Sequence, residues 1–292
     1  MGGKQDFVIY QKIRFIHSYS DYKRQQNYHR RLKLGSSKKI TLSQQALGLI
    51  QASHSDPIVE AIAEAVDQGI VRVNERRERR KYLGASSIGE ECSRKIQYRY
   101  LNYPQDENSG FSAQTLRIFE FGHGIEDYAA KWIKDAGFDL RTEDKMGEQF
   151  GFSIADDEIK GHIDGVICDG PVDMCYPALW ENKSAKDNKW KSFQRMGVAK
   201  ANPTYATQIA LYQAYMELTE CPALFTVVNK NTSEIYYELV PFDKELAQAA
   251  SDKAVNILTA SKAGDILPRI AQSKDFYLCK FCEFRETCWK GE

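Results

Sequence analysis

The sequence predicts a mixed α/β domain preceded by a helical segment. From residue 82 onward, short runs rich in β-branched residues alternate with longer segments whose apolar residues recur every three or four positions. This alternation of strands and helices is typical of a sheet with helices packed on its faces. The length of 292 residues allows one large or two small domains, and 42% hydrophobic residues suffice for a sizeable core.

Composition excludes several classes of protein. The 40 basic and 40 acidic residues cancel to a net charge of zero, which excludes a nucleic-acid-binding protein that acts through bulk charge but not one with a local basic groove. No apolar run approaches the roughly 18 residues of a membrane helix, and the basic N-terminus lacks the apolar core of a secretion signal. We therefore expect no membrane association and a cytoplasmic or nucleoid-associated protein.

The chain has seven cysteines. In a protein without an expected export signal, this number favours reduced thiols or metal ligands over a disulfide framework.

Charge and periodicity divide the chain into three parts. Residues 1–40 carry ten Lys or Arg and two Asp, which indicates a basic N-terminal arm, either a mobile extension or an auxiliary nucleic-acid-binding arm. Residues 41–80 form a predicted helical segment, since apolar residues recur at helical spacing on both sides of Asp56-Pro57. Residues 81–292 form the main domain.

Within the main domain each element has its own signal. Apolar periodicity predicts the helices, and alternation between turn residues predicts the strands. Asn202-Pro203 should start a helix, which carries two apolar stripes and should therefore be largely buried. The predicted elements are a helix over 114–135, strands over 148–155 and 159–168, a strand ALWENK after Pro177, the helix after Asn202, a hairpin over 224–240 and an amphipathic helix over 242–263.

Two of these strands carry charged residues inside apolar runs. Asp164 stands in GHIDGVI, and Glu181 and Lys183 stand in ALWENKSAK. Residues i and i+2 of a strand point to the same face, so Glu181 and Lys183 project together, with the carbonyl of Asn182 between them. Asp164 and Glu181 would supply oxygen ligands for Mg²⁺ or Mn²⁺, and Lys183 would lie beside the metal-bound water. The alternative is a surface salt bridge, although an unpaired charge in an apolar strand is costly to bury.

The order of the motifs resembles the PD-(D/E)XK nuclease superfamily. The resemblance is to its RecB-like branch, which includes the CRISPR-associated iron–sulfur exonucleases and related phage recombination exonucleases. The motifs that carry it are Gly122-x-x-x-Glu126, Asp164 in GHIDG, Glu181-x-Lys183 and Gln208-x-x-x-Tyr212. The CRISPR-associated members usually have histidine where Glu126 stands, whereas phage exonucleases tend to have glutamate; His123 is a less well aligned candidate for that role.

The resemblance implies a restriction-endonuclease-like mixed sheet flanked by helices and a metal-dependent hydrolysis of DNA phosphodiesters, from ends. It implies that Glu126, Asp164, Glu181 and the Asn182 carbonyl hold the metal and that Lys183 positions the nucleophilic water. The partners would be DNA with single-stranded ends and proteins of recombination, repair or CRISPR adaptation.

Three helical positions in these motifs have two interpretations each. The resemblance implies that Gln208 supports the site and the DNA strand, with Tyr212 alongside it. Tyr212 could equally be a core residue, and Glu126 a polar flank of an amphipathic helix. Gly122 and Gly124 would be explained by a close backbone approach, since each glycine costs a helix about 1 kcal/mol.

The C-terminal run FYLCKFCEFRETCWKGE places Cys279, Cys282 and Cys288 within ten residues. Thiolates at this spacing suit an iron–sulfur cluster or zinc. A fourth ligand must come from elsewhere in the chain. The resemblance implies that the distant Cys92 completes a [4Fe–4S] cluster that joins the two ends of the domain, with structural Zn²⁺ as the alternative. Cys168, Cys175 and Cys221 are expected to be ordinary thiols.

The segment after the ExK motif, residues 183–200, is basic with interleaved aromatic residues. Basic residues for phosphates and aromatic residues for bases are typical of a single-strand groove, and a solvated amphipathic helix is the alternative. The predicted DNA-binding residues are Lys186, Lys189, Trp190, Lys191 and Arg195.

The sequence therefore predicts a DNA exonuclease with a structural [4Fe–4S] cluster. The alternative is a non-catalytic nucleic-acid-binding module of the same fold, with a structural zinc or iron–sulfur site. A third hypothesis is a structural protein whose fold is held together by zinc.

Overall fold

The computed structural model describes residues 56–107 and 109–290. The predicted basic arm and residues 41–55 of the helical segment lie outside the described residues. The chain divides into two units, Met1–Glu60 and Ala61–Glu292. Helix α1 (Pro57–Glu75) begins where Asp56-Pro57 predicts, and Asp56 Oδ1 accepts a hydrogen bond from Ile58 N at 2.9 Å. None of the described helices is long and apolar enough to cross a membrane.

The second unit is built on two β-sheets with helices packed against them. The five-stranded sheet has the spatial order β2 (Leu140–Arg141), β5 (Gly165–Ile167), β6 (Ala178–Ala185), β7 (Ala223–Asn229) and β8 (Ile235–Val240). The three-stranded sheet has the order β1 (Leu83–Gly84), β4 (Ile159–His162) and β3 (Gly151–Ile154). In the larger sheet β6 and β7 are parallel and the other neighbours antiparallel. Mixed sheets with flanking helices confirm the predicted α/β class.

The helices follow the predicted periodicity. They are α2 (Ala85–Ile88), α3 (Ser93–Tyr100), α4 (Ala113–Asp135), α5 (Asp187–Ala201), α6 (Pro203–Tyr215), α7 (Lys244–Ala263), α8 (Tyr277–Lys280) and α9 (Arg285–Trp289). The helices predicted over 114–135 and 242–263 are confirmed as α4 and α7. Every residue of α6 from Ala206 to Gln213 is buried, which confirms the prediction from its two apolar stripes. Helices α5 and α6 together form the long crossover that parallel strands require.

The strand predicted over 159–168 is interrupted, which corrects that prediction. β4 pairs with β1 and β3, whereas β5 pairs with β2 and β6, so the chain changes sheets at Ile163 and Asp164. Gly165 lets the chain enter the larger sheet here, because a Cβ at this position would be too close to β2. It would lie 2.8 Å from Leu140 Cδ1 and 2.9 Å from Arg141 O. Asp164 therefore stands at the junction of the two sheets rather than within a strand.

A disulfide joins Cys175 to Cys221, with 5.3 Å between their Cα atoms. The expectation of ordinary thiols was wrong for this pair. The two cysteines precede β6 and β7, and these strands run parallel as neighbours, so their starting ends lie side by side. Cys168 has a free thiol, as predicted.

Candidate functional site

The carboxylates of Asp164 and Glu181 lie together at the junction of the two sheets. β5 and β6 are antiparallel with Gly165 opposite Trp180, so the next step of this register places Asp164 opposite Glu181. Asp164 Oδ2 accepts a hydrogen bond from the backbone N–H of Asn182 at 2.7 Å. The side chain of Asp164 is 11% exposed. The predicted adjacency of these two acidic residues is therefore present in the fold.

Glu181 is fully buried in the middle of β6, and its two oxygens have different surroundings. Oε1 accepts hydrogen bonds from the ammonium of Lys183 and, at 2.6 Å, from Gln208 Nε2. Oε2 is buried and has no hydrogen-bond partner among the described residues. An unsatisfied buried carboxylate oxygen is costly, so the site lacks a positive or hydrogen-bonding partner on this side of Glu181.

Lys183 lies among oxygen atoms beside these carboxylates. Its Nζ donates to the Asn182 carbonyl at 3.1 Å and lies 3.9 Å from Asp164 Oδ2. Nζ also lies 5.5 Å from the ring centroid of Tyr205, a neighbour that the sequence did not indicate. Burial alone would lower the pKa of Lys183, but the charges of Glu181 and Asp164 outweigh it and raise the pKa above its usual range. In the metal-free chain these two charges therefore favour the protonated form of Lys183.

Glu126 adds a third carboxylate, from α4. Burial and the nearby charge of Asp164 raise the pKa of Glu126 to about 7. Burial and the same charge raise the pKa of Glu181 to about 8. Burial also raises the pKa of Asp164, although Lys183 and His123 are among the groups that oppose this rise. These carboxylates are thus held where their negative charges repel one another.

The glycines of the first motif have no close backbone neighbour, contrary to expectation. A Cβ at Gly122 would lie 4.0 Å from Ser184 Oγ, which is an ordinary contact, and one at Gly124 would have no neighbour within 4 Å. Gly122 nevertheless faces β6, so α4 presents this side to the strand that carries Glu181.

The donor set fits a divalent cation. In the described part of the chain, no group of three His, Cys, Asp or Glu side chains is already assembled for metal binding, and the Lys183 ammonium occupies one side of Glu181. A divalent cation would satisfy Glu181 Oε2 and offset the repulsion that raises the pKa values of Glu126 and Glu181.

Gln208 and Tyr212 lie on one face of α6 beneath this site, and both are buried. Tyr212 packs against Phe152, with 5.9 Å between the ring centroids. Burial and then the charge of Glu181 raise the pKa of Tyr212 above its ordinary range. Tyr212 is therefore a core residue that also lies near the carboxylates, and its role toward the DNA strand stays a prediction.

The predicted DNA-binding residues of α5 separate into two groups. Lys186, Lys189 and Arg195 are exposed, and Lys191 is exposed but paired with Asp187 at 2.8 Å. Trp190 is only 3% exposed, and its indole N–H donates to the Val227 carbonyl at 2.8 Å. The prediction that Trp190 contacts bases is therefore wrong in this structure, because α5 turns its aromatic side toward the sheet.

The four predicted cluster cysteines line one cavity of about 180 Å³. Cys92 is the residue before α3, and the other three lie in and around α8 and α9. Burial, followed by the neighbouring Cys92 and Cys288, raises the pKa of Cys279. Burial also raises the pKa of Cys282, with a further contribution from Cys92. Cys279 is thus influenced by two of the other thiols and Cys282 by one, and thiolates are the donors of a thiolate-ligated metal. In the described part of the chain, however, no three of these cysteines are assembled at metal-binding geometry.

Cations surround this cavity, and polar contacts already join its two sides. Arg94 Nη1 lies 3.6 Å from Cys288 Sγ, and Arg94 Nε donates to the Leu267 carbonyl. Lys95 and Arg99 of α3 both form ion pairs with Glu283. Hydrogen bonds and ion pairs therefore join the two ends of the domain. The predicted link by a cluster stays a prediction.

No family model and no curated protein matches the chain. Among solved structures, it is similar to an alkaline exonuclease, LHK-Exo, from Laribacter hongkongensis, with 16% identity and a TM-score of 0.43 over 64% of this chain and 90% of that chain. A structure of LHK-Exo in complex with dAMP gives the same identity and coverage and a TM-score of 0.44. The structure of SSO0001 gives 12% identity and a TM-score of 0.41, over 76% of this chain and 94% of that chain.

Proposed function

We propose that the chain is a divalent-metal-dependent DNA nuclease of the RecB-like PD-(D/E)XK type, acting as an exonuclease. The observation that carries the proposal is the environment of Glu181. Its Oε1 accepts hydrogen bonds from both Lys183 and Gln208, whereas its buried Oε2 has no hydrogen-bond partner in the part of the chain that the structure describes. A purely structural ion pair would be expected to satisfy both oxygens, because unsatisfied buried polar atoms are rare. A metal ligand needs one free oxygen.

The roles of the acidic residues follow from their positions. Glu126, Asp164, Glu181 and the Asn182 carbonyl would hold Mg²⁺ or Mn²⁺, which supplies Lewis acidity and an activated water when bound. Asp164 is oriented by the backbone N–H of Asn182, so its carboxylate is fixed relative to β6.

Lys183 would act as a cation and hydrogen-bond donor. In the metal-free chain the charges of Glu181 and Asp164 raise its pKa, which favours the protonated ammonium. It can donate a hydrogen bond to the attacking water and offset charge on the phosphate. Gln208 holds Glu181 Oε1, and the buried Tyr212 supports this carboxylate from below rather than contacting DNA.

The proposed substrate is DNA with single-stranded ends, in recombination, repair or CRISPR adaptation. The exposed cations Lys186 and Arg195 support this substrate, whereas the ammonium of the third predicted cation, Lys189, already donates a hydrogen bond to the Ala201 carbonyl. Lys186 directly follows β6, the strand that carries Lys183, so a phosphate chain bound there would lie near the carboxylates.

For the cysteine cavity we propose a [4Fe–4S] cluster held by Cys92, Cys279, Cys282 and Cys288, with Zn²⁺ as the alternative. The four-thiol donor set and the adjacent Arg94 support it, since cations stabilise thiolates. Anaerobically purified protein should be brown and contain iron and acid-labile sulfide in equal amounts. If the purified protein is colourless and contains zinc, the site is a structural zinc site instead.

The decisive experiment for the nuclease is cleavage of end-labelled linear DNA and of circular DNA by anaerobically purified protein, with Mg²⁺ or Mn²⁺. The wild type should degrade linear DNA and leave circles intact. Lys183→Ala should lower the rate by at least about a hundredfold, a typical loss for a catalytic proton or charge contact, while DNA binding persists. Lys244→Ala, an exposed lysine at the start of α7, is the control and should cleave normally. Absence of metal-dependent cleavage by the wild type would refute the proposal.

A non-catalytic nucleic-acid-binding module is favoured by one observation, the direct pairing of Lys183 with Glu181. In such a module this pair would be a buried structural element. The same assay separates the two functions, because a binding module would retain DNA on its surface without cleaving it.

A further inference from the structure

A groove runs along α4 toward the carboxylate site. It consists of two adjoining cavities of about 380 Å³ and about 690 Å³, and both are lined by Arg80 and Phe111. The larger cavity extends to His123 on α4. His123 precedes Glu126 by three residues, so the two side chains are neighbours on the helix surface. One end of the groove therefore meets the carboxylates.

The groove carries positive charge from the run of arginines that follows α1. Arg79 and Arg80 line the smaller cavity, and Arg77 and Arg80 line the larger one. All three side chains are exposed, and none forms an ion pair with a carboxylate of the described residues. One carboxylate, Glu120, lines the larger cavity. The run lies where the predicted helical segment (41–80) ends, and Arg80 also lies 5.8 Å from the ring centroid of Tyr82. Guanidinium groups without a carboxylate partner among the described residues indicate an anionic ligand.

Two aromatic rings stand beside these arginines. Phe111 is 53% exposed and Phe119 46% exposed. The rings pack edge to face with 5.1 Å between their centroids, which holds both in place with part of their surface open. Exposed aromatic rings among unpaired cations are the combination that binds single-stranded nucleic acid, since the cations contact phosphates and the rings stack on bases.

We propose that this groove binds the single-stranded nucleic acid that leads into the carboxylate site. Arg77, Arg79 and Arg80 contact its phosphates, and Phe111 and Phe119 stack on its bases. The direction of the strand, toward His123 and the carboxylates, rests on the proposed nuclease function. Binding in the groove does not depend on catalysis, so the two can be tested separately.

The test is fluorescence anisotropy of a labelled oligothymidine with the full-length protein, in EDTA to prevent cleavage. The triple variant R77Q/R79Q/R80Q should bind the oligonucleotide at least about tenfold more weakly than the wild type. A plot of log affinity against log salt concentration should be less steep by about two units, as expected for three lost phosphate contacts. The charge-matched control K145Q/K244Q/K274Q removes three exposed lysines outside the groove. It should bind like the wild type, and equal affinities of the two triple variants would overturn the proposal.

A second measurement uses unmodified protein and therefore does not depend on the folding of a variant. An oligonucleotide that contains 5-iodouracil is photocrosslinked to the wild type, and the tryptic peptides are identified by mass spectrometry. Crosslinks should fall in the peptides Tyr100–Arg117 and Ile118–Lys131, which contain Phe111 and Phe119. The variant F111L/F119L, which keeps both side chains apolar, should lose these crosslinks and bind at least about fivefold more weakly. Crosslinks confined to α5 would place the strand on the other basic surface and overturn the proposal.

The two proposals have distinguishable failures. If the wild type cleaves DNA and the arginine variant binds like its control, the groove assignment fails and the nuclease stands. If no cleavage occurs but the arginine variant alone loses binding, the groove stands and the nuclease fails.

Discussion

Gln208 of α6 and Glu181 of β6 are joined by a buried hydrogen bond, in which Gln208 Nε2 donates to Glu181 Oε1 at 2.6 Å. Lys183 contacts the same oxygen, so one side of the carboxylate is saturated while Oε2 has no partner. The bond fixes the orientation of Glu181 without using the oxygen that a metal would need. Gln208 is therefore a positioning residue for the proposed metal centre.

Gln208→Ala should raise the Mg²⁺ concentration for half-maximal cleavage by about tenfold or more, the usual effect of losing a partner of a metal ligand. Cleavage at saturating Mg²⁺ should recover, because the ligands themselves remain. The measurement is a Mg²⁺ titration of the nuclease rate. Gln194→Ala, an exposed glutamine of α5, should leave the titration unchanged. An unaltered Mg²⁺ dependence in Gln208→Ala would show that the bond does not position Glu181.

The raised pKa values of Glu126 and Glu181, about 7 and about 8, predict a pH-dependent response to metal. Between the ordinary carboxyl pKa and pH 8, the folded metal-free chain holds more protons on these groups than the unfolded chain does. The free energy of unfolding should therefore fall as pH rises through this window. Mg²⁺ binds the ionised carboxylates, so its stabilising effect should be larger at pH 8 than at pH 6.

Thermal unfolding in EDTA and in Mg²⁺ at the two pH values checks this prediction. Glu126→Gln removes one titrating group, so the stabilisation by Mg²⁺ should differ less between pH 6 and pH 8 than it does in the wild type. Glu120→Gln, an exposed position on the same helix, should preserve it. A stabilisation by Mg²⁺ that is equal at both pH values would contradict the prediction.

Cys92→Ser tests the proposed cluster at its most distant ligand. Most iron and sulfide should be lost, since a cluster with three thiolates is incomplete. Limited proteolysis should then become faster near both ends of the domain. Because Arg94 and Arg99 also bridge these ends, the loss of nuclease activity should be smaller than the loss of iron.

The matched control is Cys168→Ser, which replaces a free thiol outside the cysteine-lined cavity. Its iron content should equal that of the wild type. Full retention of iron in Cys92→Ser would remove this residue from the ligand set.

The sequence predicted most of the fold because local patterns decide it. The apolar periodicity of α4 and α7 and the short run ALWENK after Pro177 were enough to place these two helices and β6. The adjacency of Asp164 and Glu181 was also predictable, since both are charged positions within apolar runs of the sequence, but the position of Asp164 between β4 and β5 was not. The free oxygen of Glu181 was not predictable, because it depends on which side chains of α6 reach β6.

Other errors came from tertiary structure that leaves no local signal. Trp190 looked like a base-stacking residue because its neighbours are basic, but α5 is kinked at Gly197 (φ 71°) and packs its aromatic face on the sheet. Arg77, Arg79 and Arg80 stand at the end of the predicted helical segment, and only the fold placed them beside α4. In each case composition indicated the chemistry of the side chain, and only packing decided which surface it joins.

The Cys175–Cys221 disulfide gives a last prediction, which concerns stability. It closes a loop of 46 residues, so its removal should lower the free energy of unfolding by up to about 4 kcal/mol, the chain-entropy value for such a loop. Cys175→Ser should therefore unfold at lower temperature, whereas Cys168→Ser should not.

Non-reducing peptide mapping checks the bond directly. The tryptic peptide Gly161–Lys183 should be linked to the peptide Ala201–Lys230, and Cys168 in the first peptide should be alkylated as a free thiol. Alkylation of Cys175 in unreduced protein, together with unchanged stability of Cys175→Ser, would contradict the prediction and return both cysteines to the ordinary thiols that the sequence indicated.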